Sequence, residues 1–310
     1  MTETRPTLRS ELDLFQSVLT DARKSPYTVE TYAAVVKRLA EFCEAHDRST
    51  VIADIDLATI RAFRAERAKT LRDTSQAVEH RSMQAFWKWA CYEPSLDDAG
   101  PNGGRLRSPM SGLEVPKIIQ QPRGKVTEEQ HAVLLRIVAL EPDRLTRTRN
   151  EAILHLFHAT GARLSELSNL RLDDCNMTAH EIVVTGKGGG RREIPFTTKT
   201  HVALARYLKL RSRSRHAALP WLWVGVRGRF TRWGVGATVT DTAKEAGYHL
   251  SAHSYRHAFA ASWLERGGEE GDLMMLAGWT SRDMLQRVYG RADAARRAKI
   301  AYRRVMDARD

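Results

Sequence analysis

The sequence predicts a mainly α-helical protein of two domains: an N-terminal four-helix bundle and a C-terminal α+β domain with one small β-hairpin. Three observations lead to this fold class. Apolar residues recur at helical spacing in the first third of the chain, a segment rich in glycine and proline follows over residues 94–125, and two β-rich runs joined by a glycine-rich turn lie beyond it. With 310 residues, the chain is long enough for two ordinary domains.

Four helices are predicted in the first domain, residues 1–93, and they span residues 11–24, 25–46, 56–69 and 74–93. The second segment places Tyr32, Val36 and Leu39 on one stripe, which is typical of an amphipathic helix. Ser25 and Asp56 precede the second and third helices and are expected to cap them. Because the links are short, we expect the four helices to pack as a bundle.

Residues 94–117 are predicted to form a linker, since they have few periodic apolar positions. The second domain then spans residues 118–310. Thr127 and Gln130 form a capping-box pattern at its first helix, and Gly161 is expected to end a helix over residues 147–161. A hairpin is predicted from strands at 181–186 and 191–196, with further helices at about 198–211, 234–246, 254–266, 270–277 and 280–288.

The charge balance favours an anionic partner. Lysine and arginine outnumber the acidic residues by 49 to 37, which gives a formal net charge of +12. Nucleic acid is the first candidate and an anionic membrane surface the second. No apolar run reaches the length of a membrane span, and the start of the chain lacks the order of a signal peptide. The three scattered cysteines fit a reducing compartment and form no zinc knuckle pattern.

Basic residues fall on the predicted outward sides of the four helices. They form either a solvated face or a surface that follows DNA phosphates, and the pattern alone leaves both interpretations open. The candidates for DNA binding are Lys37, Arg38, Arg81 and Lys88.

Arg163 lies two residues after the glycine that is expected to end a helix, in TGARLSEL, and is therefore predicted to lie in the first turn of the next helix. A cation there opposes the helix macrodipole at a cost of about 0.3–1 kcal/mol. A bound anion would remove that cost, because the free N–H groups and the guanidinium would then act together. Glu166, three residues on, is within reach of Arg163, and a surface Arg–Glu pair is the simpler alternative.

His253 and Arg256 repeat this arrangement at the start of a later helix, where Ser254 is expected to be the cap. His253 and His257 also have the i, i+4 spacing of a zinc-binding pair. No glutamate lies between them and no third ligand stands nearby, so a metal site is disfavoured. We interpret His257 as a buried, hydrogen-bonded histidine.

Three further positions could contribute chemistry. Lys187 lies at the glycine-rich hairpin tip, where a desolvated lysine can act as an acid. Trp279 occupies a turn between two predicted helices, and Tyr289 comes just before a glycine. A tyrosine at such a place is usually an interfacial aromatic.

Taken in order, these motifs resemble those of the tyrosine recombinases, the phage integrase family. TGARLSEL is similar to the first arginine box, GKGGGRREIPF to the catalytic hairpin, HSYRHAFAASWLERG to the H-x-x-R-H box and LAGWTSRDMLQRVYG to the closing nucleophile box. SPYTVETYAAVVKRLAEF resembles the core-binding domain, SPMSGLEVPK the linker, and YGRADAARRAKIAYRR the tail of integrases from actinobacterial phages. The resemblance covers nearly the whole chain.

This resemblance implies a role for each matching residue. Tyr289 would attack a DNA phosphodiester and form a 3′-phosphotyrosine with release of a 5′-hydroxyl. Arg163 and Arg256 would bind the non-bridging oxygens and stabilise the pentacoordinate charge. Lys187 would protonate the leaving 5′-oxygen.

The remaining roles are supporting ones. His253 would accept or steer the proton of the nucleophile, Trp279 would donate a hydrogen bond and pack against the tyrosine's helix, and Glu166 would position the arginines. Tyr289 lies ten residues after Trp279, with Val288 as one residue more than the family spacing. One residue is about 100° of rotation on a helix. Either a looped or overwound turn before Tyr289 absorbs it, or the tyrosine points away or is presented differently.

The resemblance also implies the partners. The chemistry needs no metal and no cofactor. Duplex DNA at core-type crossover sites is the substrate, and the active form is a homotetramer on two duplexes, with a host or phage accessory factor as a further partner. Residues 291–310 are expected to dock on a neighbouring protomer. We expect no arm-binding domain and a bacterial cytoplasmic protein of a phage or mobile element.

Two other functions share some of these features. A type IB topoisomerase-like activity would relax DNA without a defined site, and a DNA-binding regulator would retain the fold with a disabled site. Tyr248 and Tyr302 are poorer nucleophile candidates, because neither lies in a matching motif.

Overall fold

The computed structural model describes residues 5–100, 103–116, 124–186 and 189–281, together with the single residues 298, 299, 302 and 306. The chain divides into two compact units, Met1–Gln121 and Pro122–Asp310. The described residues are mainly helical with two small antiparallel sheets, which confirms the predicted fold class. No helix in the described ranges is long and apolar enough to cross a membrane.

The first unit contains the four predicted helices, and their caps are those that the sequence indicated. Ser25 Oγ accepts a hydrogen bond from the Thr28 amide at 3.2 Å, and Asp56 Oδ1 accepts one from the Thr59 amide at 2.7 Å. The helices are α1 (Leu12–Asp21), α2 (Pro26–Ala45), α3 (Leu57–Ala68) and α4 (Asp73–Ala90).

The segment predicted as a linker packs on the first unit. Leu96, Leu106 and Met110 are 2%, 6% and 5% exposed and belong to the same hydrophobic core as Phe15 and Phe86. Their spacing follows no helical or strand period, so the sequence pattern did not reveal their burial. The compact units divide after Gln121, and residues 117–123, where the second domain was predicted to begin, lie outside the described residues.

The second unit is built around a long helix, α6 (Arg144–Thr160), that packs against α5 (Glu128–Ala139), α8 (Thr198–Arg211) and α10 (Ala252–Glu265). The predicted capping box at Thr127 and Gln130 is present. Asp143 caps α6, which therefore begins before residue 147, and Gly161 ends it at φ +56° as predicted. The helices are α5 (Glu128–Ala139), α6 (Arg144–Thr160), α7 (Leu164–Ser168), α8 (Thr198–Arg211), α9 (Arg232–Glu245), α10 (Ala252–Glu265) and α11 (Glu270–Ala277).

The predicted hairpin forms two strands of a three-stranded antiparallel sheet of β1 (Cys175–Asn176), β2 (Glu181–Thr185) and β3 (Arg191–Pro195), in which β2 is the central strand. Its register places Val184 opposite Arg192. A second, two-stranded sheet of β4 (Val224–Gly225) and β5 (Gly228–Arg229) was not predicted, because strands this short have no readable alternation. Most of the predicted helix at 280–288 lies outside the described residues.

Helix α10 corrects one predicted cap. The N-cap is Ser251, and Ser254 is the third helical residue, whose hydroxyl accepts a hydrogen bond from the Ser251 amide at 3.2 Å. The helix therefore begins three residues earlier than that cap implied, and both His253 and Arg256 lie within its first two turns.

Candidate active site

The structure brings together four of the six residues predicted to be catalytic. Arg163, His253 and Arg256 line one cavity, and the ring of Trp279 lies 5.1 Å from the guanidinium carbon of Arg256. Lys187 and Tyr289 lie outside the described residues.

Arg163 owes its position to a sharp turn at the end of α6. Gly161 adopts the left-handed conformation that glycine tolerates best. A Cβ atom on Gly161 would lie 2.6 Å from the ring of Phe259 on α10, so the backbone there also approaches α10 more closely than another residue would allow. The turn makes Arg163 the N-cap residue of α7.

Arg256 projects from the start of α10 and is only 5% exposed. Its Nη1 donates to the Gly161 carbonyl at 3.0 Å and its Nη2 to the Ala277 carbonyl at 2.5 Å. Burial, followed by the nearby charge of Arg163, lowers the pKa of Arg256 to about 9. Arg256 is thus still charged at neutral pH, and an anion beside it would be stabilised.

Glu166 holds Arg163 as predicted. Its Oε1 accepts from Arg163 Nη1 at 2.8 Å and its Oε2 from the Arg163 amide at 2.8 Å. Burial has the largest influence and would raise the pKa of Glu166. Hydrogen bonds from Arg192 and Arg163 outweigh it and lower that pKa to about 2. The carboxylate is therefore ionised throughout the physiological range.

Arg192 is part of this cluster and was not among the predicted site residues. Its two terminal nitrogens contact both oxygens of Glu166, at 2.9 and 2.8 Å. A signal was present in the sequence: Arg192 lies two residues before Ile194 on β3, and Ile194 is buried. Strand alternation therefore places Arg192 on the core side, where a charge needs a partner.

Three consecutive carbonyls at the end of α11 each accept a hydrogen bond from a different arginine. Leu276 accepts from Arg192 Nε at 2.8 Å and Gly278 from Arg163 Nη2 at 2.8 Å, while Ala277 binds the buried arginine of α10. A helix C-terminus has partial negative charge, which favours these cations. Trp279 follows directly and is 7% exposed, packed in a small core with residues of α10 and α11.

The cavity beside the arginines has a volume of about 250 Å³. It is lined by residues from the starts of α7 and α10 and from α9: Ala162, Arg163, Leu164, Gly236, Thr240, Ser251, Ala252, His253 and Arg256. Two guanidinium groups and the first turn of α10 converge on it. This combination fits an oxyanion such as a phosphate, because guanidinium N–H pairs match its oxygens and the helix start favours negative charge.

The two histidines of α10 contact each other. His257 is 8% exposed, and its Nε2 lies 2.8 Å from Nε2 of His253, so one ring donates to the other. His253 is the more exposed of the two and is the one that lines the cavity. Within the described ranges, no group of three or more histidine, cysteine or acidic residues is arranged to hold a metal ion.

The four candidates for DNA binding lie in the first unit and differ in their surroundings. Lys37, Arg81 and Lys88 are exposed. Arg38 is drawn toward buried Glu79, with its Nε 3.3 Å from a carboxylate oxygen. These side chains remain candidates, with Arg38 the one most tied to an internal partner.

Comparisons with a family model and with individual relatives point to the same protein family. The chain matches the model of the phage integrase family over residues 125–296. The tyrosine recombinase XerC of Chromohalobacter salexigens is 30% identical over 274 residues, which cover 87% of this chain and 87% of that protein.

Two solved structures share the fold. The Tn1549 transposon integrase in complex with transposon right end DNA matches with a TM-score of 0.71 and 18% identity, over 96% of this chain and 100% of that one. A lambda integrase tetramer bound to a Holliday junction matches with a TM-score of 0.66 and 16% identity, over 89% and 78%.

Proposed function

The chain belongs to the phage integrase family, and we propose that it cuts and rejoins duplex DNA at specific sites through a 3′-phosphotyrosine intermediate. It is a tyrosine-type site-specific DNA recombinase, and its relatives are named tyrosine recombinases. Their match over most of the chain does not favour a relaxing topoisomerase or a disabled regulator. The observation that supports the chemistry best is the cavity where Arg163 and Arg256 converge.

In this proposal the scissile phosphate occupies that cavity. Arg163 and Arg256 bind its non-bridging oxygens and stabilise the charge that grows in the pentacoordinate transition state. Both guanidiniums are already fixed by hydrogen bonds to backbone carbonyls or to Glu166. Because they are held before DNA arrives, little reorganisation is needed at the moment of reaction.

The reacting groups are Tyr289 and Lys187, both placed by the motif resemblance. The phenolic oxygen of Tyr289 forms a bond to phosphorus while the bond from phosphorus to the 5′-oxygen breaks. The phenolic proton leaves by way of His253, and Lys187 gives a proton to the 5′-oxygen. A 5′-hydroxyl from a second strand reverses the step, and the bond energy kept in the phosphotyrosine makes the rejoining possible without a nucleotide.

Further parts of the proposal concern assembly and origin. We infer a homotetramer on two duplexes, in keeping with the lambda integrase tetramer on a Holliday junction. The first unit would contact DNA through Lys37, Arg81 and Lys88, with Arg38 as a weaker candidate, and residues 291–310 would dock on a neighbouring protomer. We also propose that the protein comes from a phage or mobile element, acts in the bacterial cytoplasm and works with an accessory factor.

Covalent trapping tests the central step. The protein is incubated with nicked suicide duplexes made from candidate attachment sites and sheared genomic DNA, and adducts are separated on a denaturing gel. The linked residue is then mapped by mass spectrometry. Tyr289→Phe is compared with Tyr302→Phe, a matched change at an exposed tyrosine. We expect an adduct that only Tyr289→Phe abolishes. An adduct that persists in this variant would move the nucleophile, and no adduct on tightly bound DNA would contradict the recombinase chemistry.

A further inference from the structure

Glu166 is shared between two arginines that come from different parts of the unit. Each carboxylate oxygen accepts two hydrogen bonds: Oε1 from Arg163 Nη1 and Arg192 Nη1, and Oε2 from the Arg163 amide and Arg192 Nη2. The side chain of Glu166 is 2% exposed and that of Arg192 15%. The four bonds use the lone pairs of the carboxylate fully, so its orientation is fixed from both sides.

Arg192 has a second anchor at the end of α11. Its Nε donates to the Leu276 carbonyl at 2.8 Å. Gly278, two residues later, has φ +61°, and a Cβ atom on it would lie 2.9 Å from Arg192 Nη1. Any other residue at this position would therefore both strain the turn and displace the guanidinium.

These two anchors connect the arginine pair to the nucleophile segment. Arg163 and Arg256 line the cavity. Arg192 is connected to Arg163 through Glu166, and each of the three arginines binds a different one of the three consecutive carbonyls at the end of α11. The chain that leaves α11 passes through Trp279 and continues toward Tyr289. Arg192, one residue of β3, thus contacts both the carboxylate that holds Arg163 and the start of the segment that leads to the proposed nucleophile.

We propose that Arg192 is a positioning residue for strand cleavage, which fixes Glu166 so that Arg163 keeps its free N–H groups directed at the scissile phosphate. Without Arg192, one face of the Glu166 carboxylate has no partner. The carboxylate would then turn further onto Arg163 and compete with the phosphate for the same guanidinium. The inference rests on the proposed recombinase function, because it assigns a task within that site.

The variants for the test are Arg192→Gln and Arg192→Lys, with Arg206→Gln as the matched control. Arg206 lies on α8, its side chain is 63% exposed, and it makes a long 3.6 Å pair with Glu151. Lysine retains the charge but cannot span both oxygens of a carboxylate. Arg192→Lys therefore keeps the test informative if the glutamine variant fails to fold.

The first readout is the single-turnover rate of adduct formation, measured beside DNA affinity on the suicide duplex that the wild type cleaves. We expect Arg192→Gln to slow adduct formation by about 100-fold, the order of loss for a catalytic group displaced by about 1 Å. DNA affinity should change little, and Arg192→Lys should be intermediate. A wild-type rate in Arg192→Gln, or a loss as large in Arg206→Gln, would overturn the proposal.

The second readout separates positioning from general weakening of the fold. A neutral methylphosphonate at the scissile position has less negative charge for Arg163 to stabilise. The loss in the rate of adduct formation caused by Arg192→Gln should therefore be smaller on this duplex. An undiminished defect would indicate a merely structural role and overturn the proposal.

The third readout requires no cleavage, so it tests the positioning role of Arg192 separately from the proposed recombinase function. Phenylglyoxal modification of Arg163, followed by mass spectrometry, is measured with and without inorganic phosphate. We expect phosphate to protect Arg163 in the wild type and to protect it less in Arg192→Gln. Equal protection would overturn the inference even if no DNA substrate were cleaved, whereas failure of the wild type to cleave DNA would count only against the proposed function.

Discussion

Replacing Glu166 by glutamine should destabilise the second unit by about 3 kcal/mol. The pKa of Glu166 falls from 4.5 to about 2 on folding, and about 2.5 pKa units correspond to about 3 kcal/mol. The side chain is 2% exposed, so solvent screening reduces this figure little. Glutamine also presents an amide donor to two guanidinium groups and leaves their charges unpaired, which acts in the same direction.

Hydrogen exchange measured by mass spectrometry suits this prediction, because the chain has two compact units that need not unfold together. Peptides from α6 report the opening of the second unit alone. Glu193→Gln is the matched control: Glu193 lies next to Arg192 on β3 and is exposed. We expect the free energy of opening at pH 7 to fall by about 3 kcal/mol in Glu166→Gln and to change little in the control.

The pH dependence gives an independent check with a definite sign. The folded pKa of Glu166 lies below its unfolded value, so its contribution is complete above about pH 4.5 and is lost as the pH falls toward about 2. The difference between wild type and Glu166→Gln should therefore narrow across that window. Equal stability of the two proteins at pH 7, or a difference that stays constant down to pH 2, would refute this account of the cluster.

Three other predictions concern residues of the second unit. Burial and the neighbouring His158 lower the pKa of His131 to about 3 and that of His155 to about 4, so the unfolded state alone takes up protons as the pH falls below about 6.5. The free energy of unfolding should then decrease by up to about 1.4 kcal/mol per pH unit for each histidine, which denaturant titrations between pH 7 and 5 can measure. Gly278→Ala should lower both thermal stability and the rate of adduct formation, because φ is +61° and the added Cβ atom would lie 2.9 Å from Arg192 Nη1. A wild-type melting temperature in this variant would contradict the prediction. Tyr207→Phe should cost about 1–3 kcal/mol in urea titrations, since the buried hydroxyl bridges a backbone carbonyl and an amide at 2.9 Å each.

Local signals in the sequence predicted the elements whose determinants are also local. The caps at Ser25 and Asp56 and the stop at Gly161 depend on residues within three or four positions, and the structure has them there. The packing of Leu96, Leu106 and Met110 depends instead on a distant helical core, for which an irregular segment gives no periodic signal. Pattern analysis therefore does not predict the burial of a residue whose packing partners are distant in sequence.

The site illustrates the same division. Glu166 was found because it lies three residues from Arg163 on one short helix. Arg192 lies 26 residues from Glu166, on a strand whose alternation marked it as inward without naming its partner. The three carbonyl contacts at the end of α11 could not be predicted at all, since every residue has a carbonyl and only the tertiary fold decides which ones meet a guanidinium.

The charges around Glu166 explain why Arg163 and Arg256 lie near the starts of helices α7 and α10. Three guanidinium groups, Arg163, Arg192 and Arg256, surround the single carboxylate of Glu166, which leaves a formal charge of +2. A phosphodiester carries one negative charge, and in the proposed reaction the attack by a phenolate would bring a second into the pentacoordinate transition state. Under that proposal the cluster would match the transition state better than bound DNA, which is the condition for lowering a barrier rather than merely tightening binding. Burial lowers the pKa of Arg256 most, and the repulsion from Arg163 that adds to this shift would be relieved most when that second charge forms.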